Sequence, residues 1–187
     1  MRIKEKLSVG FLLAGMLFLT SCSFGKKAVL TYDGTLELEL GKTKIAEVTE
    51  AGFTDKYSYD AKSQIGSSSW ENFYAMKGDI TYGTMYAANK SARSVNFEEG
   101  KVFRVVIDYD DPDYVTGEIL INGVNYEGYT RDQIKEAMSG AEMTLDSDTY
   151  LSFEDGKFDY TFRFEEGSET VSGISIDDGT DWELVIK

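Results

Sequence analysis

Short runs in which every second residue is apolar govern what this chain can become. Leu36, Leu38 and Leu40 alternate with Glu37 and Glu39, the period of a strand with one buried and one wet face. Residues 102–109 form a β-branched and aromatic run, and 118–121 a shorter one that ends at Asn122-Gly123. A meander is expected over 71–76 and 80–87, with Gly78-Asp79 between them. Near the C-terminus Asp155-Gly156 reads as a two-residue hairpin turn. It would set Phe153 opposite Phe158 and Leu151 opposite Tyr160, with Glu154 facing Lys157. Phe162 and Phe164 extend that apolar face, while Asp159, Thr161 and Arg163 take the other. Runs at 171–176 and 182–186 supply further strands.

Helical signals are few. Thr130 and Gln133 have capping-box spacing, and Ile134, Ala137 and Met138 make an apolar stripe that stops at Gly140. An earlier counterpart runs over 43–51, with Thr43 at its start, Ile45, Val48 and Ala51 apolar, and Gly52 as its stop. Both are too short to stand alone, so they must pack on a sheet. The two Thr-led helices start 87 residues apart and end 88 apart. Each follows a strand and precedes about three more. The expected fold is α+β: two tandem strand–helix–three-strand repeats, with short helices on one face of an antiparallel sheet. The repeats are assigned to 30–115 and 116–187, together one domain.

Gly41-x-Thr43, helix, Gly52 and meander, echoed from Gly128 and Thr130 to Gly140, resembles the β-lactamase-inhibitor-protein-like tandem-repeat fold. It also resembles a group of lipoproteins from Gram-positive anaerobes. In the inhibitor family a concave sheet binds the partner enzyme and disulfides brace each repeat. This chain has no second Cys for such braces. It also has no counterpart of the inhibitor's binding loops, so the resemblance implies the fold more than the activity.

Residues 1–21 read as a signal peptide: Arg2, Lys4 and Lys6 precede an apolar run over 9–19. That run is too short for a permanent span, which needs about 20 residues. Leu19-Thr20-Ser21-Cys22 resembles the bacterial lipobox, in which the chain is cut before the Cys and the sulfur is lipidated. Cys22 is therefore the expected lipid attachment, with 22–29 as a short tether and the protein on the extracytoplasmic side of a bacterial membrane. The seven residues 23–29 reach at most about 25 Å. Cleavage would remove three basic residues and one acid, leaving 16 basic and 32 acidic residues, a net charge of −16. Such a body is repelled by anionic lipid, so the acyl chains carry the attachment.

Composition then narrows the chemistry. The 187 residues, 42% hydrophobic and 13% aromatic, suffice for one packed domain and argue against disorder. Histidine is absent and Cys22 is the sole cysteine, which excludes His-assisted nucleophiles, the usual zinc ligand sets and an intramolecular disulfide. A net charge of −14 opposes nucleic-acid binding. Asp108, Asp110, Asp111 and Asp113 crowd one stretch, but Pro112 breaks EF-hand spacing, and the leading reading is a solvated turn between repeats, with calcium binding or a partner contact as the alternatives. Asp177-Asp178-Gly179 reads as turn chemistry. No carboxylate pair is singled out for glycosidase work, no cofactor is implied, and a non-enzymatic role is expected.

Aromatic residues are the better clue. Tyr is favoured in contact surfaces because it buries area at little entropic cost, and the chain has twelve. Phe73, Ala75, Ile80, Tyr82, Thr84 and Tyr86 fall on alternating positions, with Tyr74 on the opposite face; Trp70 follows Gly66-Ser67-Ser68-Ser69 in what reads as a loop, or else enters the core at the strand start. Trp70, Tyr74, Tyr82, Tyr86, Tyr109 and Tyr114 are the candidate binding residues, for a protein or else for cell-wall glycan or a small solute. The anchor is tested directly: Cys22→Ser is expected to abolish labelling by a radioactive fatty acid and to move the protein out of the membrane pellet. Equal pelleting of both forms would contradict it.

Overall fold

The computed structural model describes residues 27–57, 63–110 and 118–179. The chain opens with a hairpin of β1 (Val29–Tyr32) and β2 (Leu36–Glu39). Asp33 and Gly34 between them both have positive φ, +46° and +62°, and the Thr35 N–H donates to the Tyr32 carbonyl. Two positive φ values in succession give the type I′ turn, whose twist matches its strands. Then come α1 (Ile45–Glu50), β3 (Thr54–Asp55), β4 (Gln64–Ile65), β5 (Ser69–Lys77), β6 (Ile80–Asn89), β7 (Val95–Asn96), a 3-10 turn and β8 (Lys101–Asp108). The second half holds β9 (Ile119–Ile121), α2 (Arg131–Ala137), β10 (Glu142–Asp146), β11 (Tyr150–Asp155), β12 (Phe158–Arg163) and β13 (Gly173–Asp177).

Eight of these strands form one antiparallel sheet in the order β10-β11-β12-β13-β8-β6-β5-β3. Strands β2, β1 and β9 make a second, three-stranded sheet, and β4 pairs with β7 alone. Phe153, Tyr160, Ile176, Val105, Met85 and Phe73 are successive cross-strand partners across six strands of the large sheet, and all are buried. Against that face pack Leu30, Tyr32 and Leu38 of the small sheet, Ile45 and Val48 of α1, and Ile134 of α2, in one continuous core. The architecture is thus α+β, with antiparallel sheet outweighing two helices of six and seven residues. Helices this short are held by their buried face rather than by propensity.

Several local expectations hold and others shift. Lys77 pairs with Ile80 across Gly78-Asp79, and Thr130 caps α2, its Oγ1 accepting from the Gln133 N–H while Gln133 Oε1 accepts from the Thr130 N–H. Thr43 does not cap α1. Its hydroxyl accepts from the Glu39 N–H at 3.0 Å, so the helix starts one residue later, where Glu47 Oε1 accepts from the Lys44 N–H. The late hairpin turns at Gly156-Lys157, not Asp155-Gly156: Asp155 pairs with Phe158 and Phe153 with Tyr160. Gly156, with φ +68°, occupies the first central position, the one a type II′ turn gives to Gly. Moving the turn by one residue shifts the pairing by two positions on the partner strand, so the buried face survives. After α1 and after α2 alike the large sheet gains four strands rather than three, and the β4–β7 ribbon is additional in the first half. The 182–186 strand lies outside the described residues.

Two turns tie the small sheet to the large one. The Tyr82 hydroxyl of β6 donates to the carboxylate of Asp33. In the second half, Asn122 and Gly123 form another turn with both φ positive, closed by reciprocal Ile121–Val124 hydrogen bonds. Asn122 Nδ2 donates to the Tyr160 hydroxyl of β12 at 3.1 Å, and its Oδ1 accepts from the Val29 N–H at 3.0 Å. Burial pushes the Tyr160 phenol up to about 12, so it stays a neutral partner throughout the working range. Asn122→Ala removes both bonds and puts an unfavourable residue at positive φ. A loss of about 2–3 kcal/mol is expected in urea unfolding, with Asn122→Gly losing about 1 kcal/mol less because the turn is retained.

Candidate binding face

Alternation that sends one row of side chains into the core sends the flanking rows outward. One outer row runs from Glu154 through Asp159, Asp177 and Arg104 to Tyr86. The next runs from Ser152 through Thr161, Ser175, Val106 and Thr84 to Tyr74. All of these are at least partly exposed. Ser152 and Thr161 hydroxyls bond at 3.1 Å, and Arg104 reaches the Asp177 carboxylate at 3.2 Å. Farther along, Arg163 lies across Gly173 to meet Asp108 at 2.8 Å and donates from Nε to the Ser172 hydroxyl. A Cβ at Gly173 would come within 2.9 Å of the Ile107 carbonyl and 3.4 Å of that guanidinium, which is why glycine occupies the crossing.

Aromatic rings gather on the β5–β6–β8 side of this face. Trp70 meets Tyr86 edge-to-face at 5.5 Å, Tyr86 meets Phe103 at 6.4 Å, and Tyr57 meets Tyr74 at 4.7 Å. Of the residues expected to bind, Trp70, Tyr74 and Tyr86 are thereby brought onto one surface. Trp70 stands in strand β5, not in a loop, and is half-buried rather than in the core. Tyr82 does not join them. Met76 pairs with Thr81 and Tyr74 with Thr84, so Tyr82 and Gly83 together oppose Ala75. This bulge, with Gly83 at φ +108°, reverses the alternation. It turns Tyr82 into the core beside Tyr32 and Phe53 while Tyr86 faces out. Tyr109 packs against the core just beyond β8, its N–H donating to the Ser172 carbonyl. Tyr114 and Cys22 lie outside the described residues.

Residues that sequence reasoning did not single out complete the face. Arg104 and Asp177 come together only because β8 pairs with β13, a partnership with no local signal, while Phe103, buried at 4% exposure, supports the Tyr86 ring. At the far edge Leu145 and Tyr150 are exposed at 46% and 41%. The acidic stretches keep their turn chemistry, the Asp108 and Asp177 carboxylates accepting from the Asp110 and Gly179 N–H groups, and they form ion pairs as well; Asp111 and Asp113 lie outside the described residues. Asp108 is taken by Arg163, Asp177 by Arg104, and Asp178 is only 3% exposed, with Lys90 and Lys157 Nζ at 3.8 and 3.9 Å. Among the described residues, no group of three or more acidic side chains is placed to hold a metal ion, and no helix is long and apolar enough to cross a membrane. Beside Phe103 the sheet end opens into a cleft of about 280 Å³.

The acidic row carries an electrostatic cost. Partial desolvation raises the Asp159 carboxyl above its ordinary value, and the neighbouring Asp177 and Glu154 charges raise it further. A carboxyl raised on folding takes up a proton more readily in the native state, so stability is lost as pH rises from the ordinary carboxylate range through the raised value. Asp159→Asn is expected to raise the melting temperature by about 1–3 °C at pH 7, with the gain shrinking as the pH falls toward 4. A gain that is unchanged or larger at pH 4 would contradict this. No protein-family model, curated protein or solved structure matches the chain.

Proposed function

We propose that this is a lipid-anchored, extracytoplasmic lipoprotein whose large sheet binds a protein partner through its outer face, without catalysis. The observation that carries the reading is the face itself: half-exposed rows extending across the strands, with Trp70, Tyr74 and Tyr86 at one side. Large aromatics held in place by one another, and not needed by the core, are the usual anchors of protein interfaces. The polar middle supplies hydroxyls and paired charges that could hydrogen-bond across an interface. Attachment through Cys22 and a short tether would hold the module close to the membrane, with acyl chains supplying the affinity that an acidic body lacks.

We further propose that the two halves, 30–115 and 116–187, descend from one duplicated unit. Each contributes four neighbouring strands to the large sheet, and the last strand of each, β8 and β13, meets at its centre. Each half also begins with a turn of two positive-φ residues whose first side chain bonds a buried Tyr on its third sheet strand: Asp33 with Tyr82, Asn122 with Tyr160. Repeated solutions at matching places support the reading.

Glycan binding is the second reading, because Trp and Tyr also stack on sugar rings. The 63° angle between Trp70 and Tyr86 favours protein, since this pair does not form the coplanar platform that a sugar ring would stack on. The test is binding of soluble residues 23–187 to extracytoplasmic proteins and to purified peptidoglycan, beside Trp70→Ala and Tyr86→Ala. A saturable protein complex weakened at least about tenfold by each substitution is expected. Retention on peptidoglycan alone, or a protein complex indifferent to both substitutions, would overturn the reading.

A further inference from the structure

We propose that the cleft beside Phe103 binds a small amphipathic carboxylate, an apolar body bearing one negative group, independently of any protein bound on the sheet face. The cleft lies where β8 begins and β6 and β13 end, beside the turn at Gly41. At about 280 Å³ it is near the lower end of small-molecule sites. Ala88, Val95 and Phe103 give it an apolar lining, and Ala88 and Phe103 are themselves almost fully buried. Gly41 has φ +78°, and a Cβ there would come within 3.0 Å of the Asp178 carboxylate, so the turn and the acid are fitted to each other.

Charge selects the ligand. Lys90 and Lys101 line the cleft, and Lys157 approaches from the side of Asp178. Among the described residues, Asp178 and Glu99 stand against these three ammonium groups, leaving one positive charge there in a chain whose net charge is −14. Asp178 is buried and lies between Lys90 and Lys157, acting as their internal counter-ion. Lys101 is exposed and makes no ion pair among the described residues. Among the described residues it is the cleft cation left to meet a ligand. An apolar lining with a single surplus cation fits a monoanion. A polyphosphate would bring more charge than the cleft can match, and an amine would meet the lysines first.

The probe is 4-phenylbutyrate, with 4-phenylbutylamine as its charge-reversed counterpart, titrated calorimetrically into soluble residues 23–187. One-site saturable binding of the carboxylate is expected, with Kd on the order of 1 mM for so small a ligand. The amine should bind at least about tenfold more weakly. Lys101→Glu should weaken the carboxylate at least about fivefold, while Lys135→Glu, the same charge change on α2, leaves it unchanged. Both lysines are at least partly exposed, and circular dichroism melts verify that the variants fold. Absence of saturation below about 20 mM, equal binding of the amine, or equal weakening by both substitutions would each overturn the proposal.

Discussion

Pairing of β8 with β13 turns two four-stranded meanders into one sheet. Five residue pairs, from Gly173–Asp108 to Asp177–Arg104, form this seam. Everything on the outer face that involves both halves hangs on it: the Arg104–Asp177 and Arg163–Asp108 ion pairs cross it or stand at its end, and the acidic row continues over it toward Tyr86. The inner side of the same pairing brings Val105 against Ile176 and Ile107 against Ile174, all buried. One set of backbone hydrogen bonds therefore fixes both the continuous core and the continuous surface.

The two faces contribute unequally. Fully burying an aliphatic or aromatic side chain contributes about 1.5–3 kcal/mol, whereas an exposed ion pair is worth about 0–1 kcal/mol. The outer rows are thus nearly neutral for folding and free to vary in sequence. Asp159 goes further: partial desolvation, and after it the neighbouring Asp177 and Glu154 charges, raise its carboxyl, so this position works against stability at neutral pH. The buried row cannot vary in this way, because removing a ring such as Phe73 or Tyr160 would open a cavity and cost about 3–5 kcal/mol.

Legibility in the sequence followed the range of the interaction. Period-two alternation located β2, β5, β6, β8 and the β11–β12 hairpin, and Thr130 with Gln133 located α2, because each signal lies within a few residues. The apolar face of the late hairpin was legible even though its turn was misplaced by one residue, since the error preserved side-chain parity. Tyr82 was not legible. A single extra residue at Gly83 reverses the face, and nothing in the alternation of 80–87 marks where that occurs. Thr43 misled for a related reason: a hydroxyl before a helix has two useful acceptor geometries, and here it serves the Glu39 N–H instead of the helix. The β8–β13 seam, and with it the assembly of Phe103, Arg104, Asp177 and Asp178, depends on partners some seventy residues apart. No local pattern encodes such a pairing.

Native-state hydrogen exchange of the β8 and β13 amides tests the single-sheet architecture most directly. If the seam unites the molecule, these amides exchange among the slowest, through the same global opening as the inner amides of β6 and β12, and with the denaturant dependence of complete unfolding. Seam amides that exchange well before those of the β5–β6 and β11–β12 hairpins, or two halves that open with separate denaturant dependences, would contradict it.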